Sequence, residues 1–256
     1  MLKETLLHAT ESGAMILKEY FGGRFEISSK DTLNNLVTEV DKKSEQAIID
    51  SIRRNYPDHF ILSEEAGEIP TASEYKWIID PIDGTVNYAH GIPICAVSIG
   101  LEKDGEMILG AVFNPFSEEL FFAQKGFGAS LNDKRIQVSP LQSMERALLV
   151  TGFPYSWQNA ENDPVKTFER FVRRGIPVRR LGSAALDLCW VACGRFDGFW
   201  EFNLQAWDSA AGMLVVREAG GSVTDFGGNP YSPYQKELLA SNGKIHNQML
   251  EALREN

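Results

Sequence analysis

The chain has 256 residues, 43% of them hydrophobic and 23% charged, with a net charge of −10. This is ordinary globular composition with enough apolar material for a sizeable core, in one large domain or two small ones. An acidic surface repels phosphate backbones, which argues against direct nucleic-acid binding. No apolar run reaches the roughly 18 residues of a membrane span. The opening Met1-Leu-Lys-Glu-Thr-Leu-Leu-His8 lacks the basic start and long apolar stretch of a signal peptide, so a soluble, cytoplasmic protein is expected. Cys95, Cys189 and Cys193 are odd in number and sit in apolar runs. They read as core thiols in a reducing compartment, not as a disulfide framework or metal ligands.

In chain order, Leu2, Leu6, Ala9, Gly13, Ile16 and Tyr20 recur at helical steps, and Gly22-Gly23 stops that helix. The polar stretch 28–35 reads as a mobile loop. A second helix starts near Thr38–Asp41, carries Ala47, Ile48 and Ile52 inward, and ends at Pro57. The period then changes to strands at 60–62 and 75–80. From Ile94 to Val138 a β-meander is expected, with turns at Lys103-Asp-Gly105, Asn114-Pro115 and Asn132-Asp133. The second half alternates: strand 147–151, helix 163–174, strand 177–181, helix 183–193, strand 197–202, helix 207–219, strands near 222–226 and 238–240, and a final helix that Asn242 caps. The expectation is one compact unit over 1–256. Its subdomains are roughly 1–145, helices with an antiparallel sheet, and 146–256, alternating α/β, with a site between them.

The most informative segment is Asp80-Pro-Ile-Asp83-Gly-Thr85, directly after an apolar strand. Pro81 disfavours helix for Asp80, and Gly84 permits a tight turn. Two carboxylates on a bent loop can converge, the Ile82 carbonyl lies between them, and oxygen-only clusters suit hard cations such as magnesium. Thr85 opens a short helical turn whose N–H groups, with that of Gly84, form an anion cradle. A plain acidic turn capped by Thr85 is the alternative.

Three further pieces are weaker alone. Glu64-Glu65 follows the strand His59-Phe-Ile-Leu62, where a nearby cation would relieve the paired charges, but alone it reads more readily as an exposed acidic turn. Asp208, in Ala206-Trp207-Asp208-Ser-Ala-Ala-Gly212, sits in the first turn of a helix, where an aspartate needs no further explanation. Thr38-Glu-Val-Asp41 is a capping-box variant, in which Asp41 can also share a proton with a hydroxyl or water. No Ser–His–Asp or Cys–His pattern appears, and His8, His59, His90 and His246 read as surface or structural residues.

In this order the four pieces resemble the inositol monophosphatase family over nearly the whole chain. Asp80-Pro-Ile-Asp-Gly-Thr-Val-Asn-Tyr88 matches its first signature, and Trp207-Asp-Ser-Ala-Ala-Gly-Met-Leu-Val-Val-Arg-Glu-Ala-Gly-Gly221 its second. The departures are Ser63 where the family usually has Gly, Ile82 where Leu is commoner, and Tyr88 where Phe is. The resemblance implies a layered αβαβα sandwich of the sugar-phosphatase type, a homodimer, lithium sensitivity, and two or three magnesium ions per subunit. It implies that Glu64, Asp80 and the Ile82 carbonyl hold one ion and Asp80, Asp83 and Asp208 a second. It further implies that Thr85, bonded to Asp41, helps activate the attacking water. Asp83, Gly84, Thr85, Ala184, Glu201 and Asp208 would contact substrate, and the loop at 28–35 would lie over the metals. Inositol monophosphate is the leading substrate. Fructose 1,6-bisphosphate and histidinol phosphate are the alternatives, and Asn87-Tyr88 looks more like the inositol and sugar side of these relatives than the nucleotide 3′-phosphatase side. Arg179 and Arg180 either reach a second phosphate or serve a surface or dimer salt bridge. Outside enzymes, the alternative is a regulatory partner of transcription machinery.

Overall fold

The computed structural model describes residues 1–29, 36–154 and 163–254. Helix α1 (Leu2–Tyr20) is followed by the short antiparallel pair β1 (Ile27–Ser29) and β2 (Leu36–Thr38), then by α2 (Glu39–Asn55). Ser28 and Ser29 thus belong to a strand, and the rest of the expected 28–35 loop lies outside the described residues. The buried stripe of α1 is Leu6, Ala9, Gly13, Ala14 and Leu17, while Ile16 and Tyr20 are only half-buried. On α2, Ile48, Ile49 and Ile52 are buried and Ala47 is half-buried. The two helices pack closely because Gly13 has no side chain: a Cβ there would lie 2.7 Å from the Ile48 side chain.

The front half builds an eight-stranded sheet. Its strands are β3 (Phe60–Ser63), β4 (Gly67–Ile69), β5 (Tyr75–Asp83), β6 (Ala96–Lys103), β7 (Glu106–Asn114), β8 (Glu119–Gln124), β9 (Gly128–Leu131) and β10 (Lys134–Arg135). They lie in the order β10-β9-β8-β7-β6-β5-β3-β4, antiparallel except for β3 beside β5. The expected turns fall where predicted, and β4 is an additional short strand. The main departure is β5. It does not stop at Asp80 but continues to Asp83, with a register shift between Asp80, opposite Ser98, and Asp83, opposite Ala96. Three residues on β5 span two on β6, so one residue bulges out. Pro81 sits there because it has no N–H to give to the ladder.

The back half builds a five-stranded sheet in the order β12-β11-β13-β15-β14. These strands are β11 (Leu149–Thr151), β12 (Val178–Arg179), β13 (Gly198–Phe202), β14 (Ser222–Thr224) and β15 (Glu237–Ser241). Strand β11 runs parallel to β12 and β13, and β15 runs antiparallel to β13 and β14. Helices α5 (Ala184–Ala192) and α6 (Ala206–Glu218) lie between the sheets, sharing one core with residues of both. Helices α4 (Pro164–Arg173) and α7 (His246–Arg254) cover the outer face, where Phe171 stacks on Trp200 with ring centres 4.3 Å apart. Asn242 Oδ1 accepts from the N–H groups of Lys244 and Ile245 at the entry to α7, the predicted capping role. With α1 and α2 outside the large sheet, the layers alternate αβαβα. Among the described residues no helix is long and apolar enough to cross a membrane.

Helix α6 touches the large sheet almost backbone to backbone. A Cβ on Gly110 of β7 would lie 2.9 Å from the Ala211 carbonyl oxygen, and one on Gly100 of β6 would lie 3.0 Å from Ala210 Cβ. On the other side of α6, a Cβ on Gly212 would lie 2.7 Å from Leu188 of α5. The small residues of the second signature therefore set how deeply α6, and Asp208 at its start, is seated. Backbone cannot move aside as a flexible side chain can. Gly110→Ala is expected to destabilise the protein by about 1–3 kcal/mol through overpacking. Urea denaturation checks this, and an unchanged midpoint would contradict the close-approach account.

Candidate active site

A cavity of about 390 Å³ opens between the two halves. Its wall takes Glu64, Asp80, Ile82, Asp83, Gly84 and Thr85 from the front half, and Ala184, Glu201 and Asp208 from the back. Every residue assigned by resemblance to metal or substrate thus lines one space. Asp41 lies just behind it, fully buried.

The bulged end of β5 is held from several sides. The Asp80 carboxylate accepts the Ile82 N–H at 3.0 Å, and the Ser44 hydroxyl of α2 donates to the Pro81 carbonyl at 3.0 Å. The Thr85 hydroxyl lies 2.9 Å from the Ile82 carbonyl and 3.1 Å from Asp41 Oδ1. The other Asp41 oxygen accepts the Thr38 N–H and hydroxyl, each at 2.7 Å, so the capping box and the link to Thr85 share one carboxylate. Gly84, at φ +92°, caps the short helix α3 (Thr85–Ala89), and a Cβ there would lie 2.9 Å from the Ile94 carbonyl. Asn87 of α3 donates to the carbonyls of Ile94, at 2.8 Å, and Leu181, at 2.7 Å, fastening the two halves beside the cavity.

Asp83 points across the gap. It accepts the Ser183 hydroxyl, the Ala184 N–H at 3.2 Å and the Ala185 N–H at 2.8 Å, all at the start of α5. Asp208 accepts the Gln205 N–H at 2.7 Å as part of its helix cap. The loop carrying Glu64 is anchored by Glu45 of α2. One Glu45 oxygen accepts the Ser63 hydroxyl and the N–H groups of Glu65, at 3.1 Å, and Ala66, at 3.0 Å. Ser63, the departure from the family's glycine, is therefore a partner in that anchor.

The electrostatics are those of crowded anions. Burial pushes Asp80 well above the usual carboxylate range, and Glu64, Asp83 and Asp208 push it the same way. Asp83 is raised to about 6, burial outweighing the Ser183 hydroxyl and the N–H donors. Asp41 is also raised to about 6 by burial, against its Thr38 hydrogen bonds and with Glu64 and Glu65 adding to the rise. Burial raises Glu201 strongly, with Asp208 and Asp83 reinforcing it and Arg180 opposing. Such a wall fits a hard cation: its donors are all oxygens, and their mutual repulsion is relieved by positive charge. Among the described residues the side chains do not close into a three-ligand group at metal-binding spacing. Asp83 is hydrogen-bonded to the start of α5 and Asp208 to the Gln205 N–H.

Other expectations divide. Arg180 lines the cavity, whereas Arg179 is exposed and lies outside it. No histidine lines it: His59 accepts the Trp77 indole N–H at 3.0 Å, and His246 lies between the Thr224 and Ser241 hydroxyls. All three cysteines are free, Cys95 and Cys189 buried and Cys193 half-buried. Burial raises all three thiols, so they are inert core groups. Sequence reasoning missed Glu45, Gly152, Ser183 and Asp187 as parts of the site. Only Ser183 carried a signal, as the first residue of the helix predicted over 183–193; the structure makes it the residue that precedes α5.

A model of the inositol monophosphatase family matches residues 2–256. The chain belongs to the inositol monophosphatase family, a family of phosphatases. An inositol-1-monophosphatase from Synechocystis is 44% identical over 89% of this chain and 80% of its own length. A Nus factor SuhB from Pseudomonas aeruginosa is 40% identical, covering 99% of this chain and 96% of its own. The solved inositol monophosphatase of Anabaena superposes with a TM-score of 0.88 at 40% identity, over 98% of this chain and 96% of that one.

The raised Asp41 has a thermodynamic consequence. Between its ordinary value of 3.8 and its folded value of about 6, the native state holds a proton that the unfolded chain releases. Its contribution to stability therefore falls as pH rises from about 4 to about 6 and stays lost above that. Asp41→Asn cannot lose this proton. In metal-free protein its stability relative to wild type should climb across that window and then level off. Urea denaturation at a series of pH values checks this, and a pH-independent difference would refute the shift.

Proposed function

We propose that this protein is a magnesium-dependent phosphomonoesterase whose preferred substrate is inositol monophosphate. One observation carries the reading. The residues of the four candidate metal carboxylates, the Gly84-Thr85 turn and Glu201 all line one cavity of about 390 Å³, of a size for a small phosphate ester. Glu64, Asp80, the Ile82 carbonyl, Asp83 and Asp208 would hold two or three magnesium ions. Bound there, magnesium supplies charge neutralisation for the phosphate and the leaving oxygen and lowers the pKa of water. Thr85 orients a water through its hydroxyl, and Asp41, 3.1 Å behind it, accepts the hydrogen bond that fixes that hydroxyl. Gly84 and Thr85 present N–H donors to the phosphate. Glu201 accepts from a substrate hydroxyl, and Ala184 shapes the wall beside it.

Arg180 on the cavity wall supports a second reading, fructose 1,6-bisphosphate as an additional substrate, because a guanidinium matches a second phosphate. Glu201 nearby favours hydroxyls over an anion, so inositol monophosphate ranks first. Relatives named Nus factor SuhB support a regulatory contact with transcription machinery as a separate role by surface contacts. Three free thiols suit a reducing, cytoplasmic compartment, and the proposed assembly is a homodimer.

Phosphate release from inositol 1-phosphate, fructose 1,6-bisphosphate and histidinol phosphate tests the proposal. Turnover should require magnesium and be highest on inositol 1-phosphate. Asp83→Asn should lose at least about 10³-fold in kcat/KM while keeping its fold by circular dichroism. Near-normal turnover by a folded Asp83→Asn would sink the assignment. Inhibition by millimolar lithium is expected in the same assay.

A further inference from the structure

One acidic side chain on the cavity wall has no part in the chemistry above. Asp187 lies on α5, one turn beyond the N–H groups that hold Asp83, and its own N–H donates to the Ser183 carbonyl at 3.0 Å. The residue is 1% exposed and yet lines the cavity. Its Oδ1 has no hydrogen-bond partner among the described residues.

Structural explanations do not account for it. An acid that serves a helix dipole does so from the solvated surface, where burial exacts no desolvation. A buried acid that serves the fold is hydrogen-bonded, because an unmet acceptor is destabilising. Leucine would serve pure packing better.

The surroundings identify what would meet this oxygen. Glu201 reaches into the same region from β13, seated over Gly152 of the β11 end, where any Cβ would collide with the Glu201 carboxyl. Burial raises Asp187 strongly, and Glu201 and Asp83 raise it further; Arg180 is the opposing cation. An anion is repelled by three acids. An apolar group leaves the acceptor unmet. A neutral hydroxyl donor satisfies the oxygen without adding charge, and two neighbouring carboxyls suit two neighbouring hydroxyls.

We propose that Asp187 is a specificity-determining residue that accepts a hydrogen bond from a substrate hydroxyl adjacent to the one held by Glu201. This rests on reading the cavity as the site of a polyhydroxylated phosphate ester. Asp187 thus discriminates ring polyols from simple phosphate esters and takes no part in bond breaking.

The test compares wild type with Asp187→Ala and Asp187→Leu, which carry no acceptor, on inositol 1-phosphate and on p-nitrophenyl phosphate, which has no hydroxyls to recognise. Both variants should lose about 10- to 100-fold in kcat/KM on inositol 1-phosphate, mainly through KM. Turnover of p-nitrophenyl phosphate should change less than about twofold, a split that a structural role would not produce. A parallel fall on both substrates, or no fall on either, would overturn the assignment. Wild-type protein supplies a measurement free of folding effects. Among phosphates of singly deoxygenated inositols, two adjacent positions should each raise KM when their hydroxyl is removed, and a single sensitive position would overturn the second contact. Failure of the substrate reading itself shows differently, as wild type that hydrolyses p-nitrophenyl phosphate but not inositol 1-phosphate.

Discussion

Carboxylates gathered around the end of β5, with Asp80 and Asp83 buried, are the feature on which the rest of this structure depends. Asp80 is 1% exposed and feels Glu64, Asp83 and Asp208 at once. Like charges in a poorly solvated wall repel, and a chain under no other demand would separate them or replace them with apolar residues. The fold instead holds them together. The Pro81 bulge turns Asp83 across the gap, Glu45 secures the Glu64 loop, and the glycines under α6 set where Asp208 sits. Free energy stored in this repulsion is available to bind cations, which is why a site costly to folding is useful to function.

Each carboxylate is positioned by an element that also serves the scaffold. Asp41 caps α2 and steadies Thr85. Asp208 caps α6 and faces the cavity. The N–H groups at the start of α5 hold Asp83, and the same helix carries Asp187. The arrangement couples the two halves: moving α5 relative to the large sheet would shift Asp83, Ser183 and the Asn87 fastening together.

Much of the architecture was legible because it follows from local rules. Helix periodicity, the meander turns and the alternation of the back half predicted the long helices and the main strands, though not the short β1, β2 and β4, and the Thr38–Asp41 capping box matches the structure. The layered sandwich and the grouping of site residues came from the resemblance, on two long signatures. Other features were hidden for physical reasons. Pro81 reads as the end of a strand, yet a bulge lets β5 run on to Asp83. Glu45 looks like any polar helix residue until α2 packs beside the Ser63–Ala66 segment. The role of Gly152 depends on Glu201, 49 residues later. Asp187 resembles an ordinary first-turn acid, and only the tertiary structure shows that it is buried with its Oδ1 unpartnered.

The most direct measurement of the central claim is the thermal stability of wild type and Asp80→Asn as magnesium is added to metal-free protein. Removing one buried charge should relieve repulsion, so metal-free Asp80→Asn should melt higher than metal-free wild type. Magnesium should raise the melting temperature of wild type with concentration, as a ligand of the native state does, and leave Asp80→Asn nearly unmoved. Equal magnesium stabilisation of both proteins, or a metal-free variant no more stable than wild type, would contradict the account.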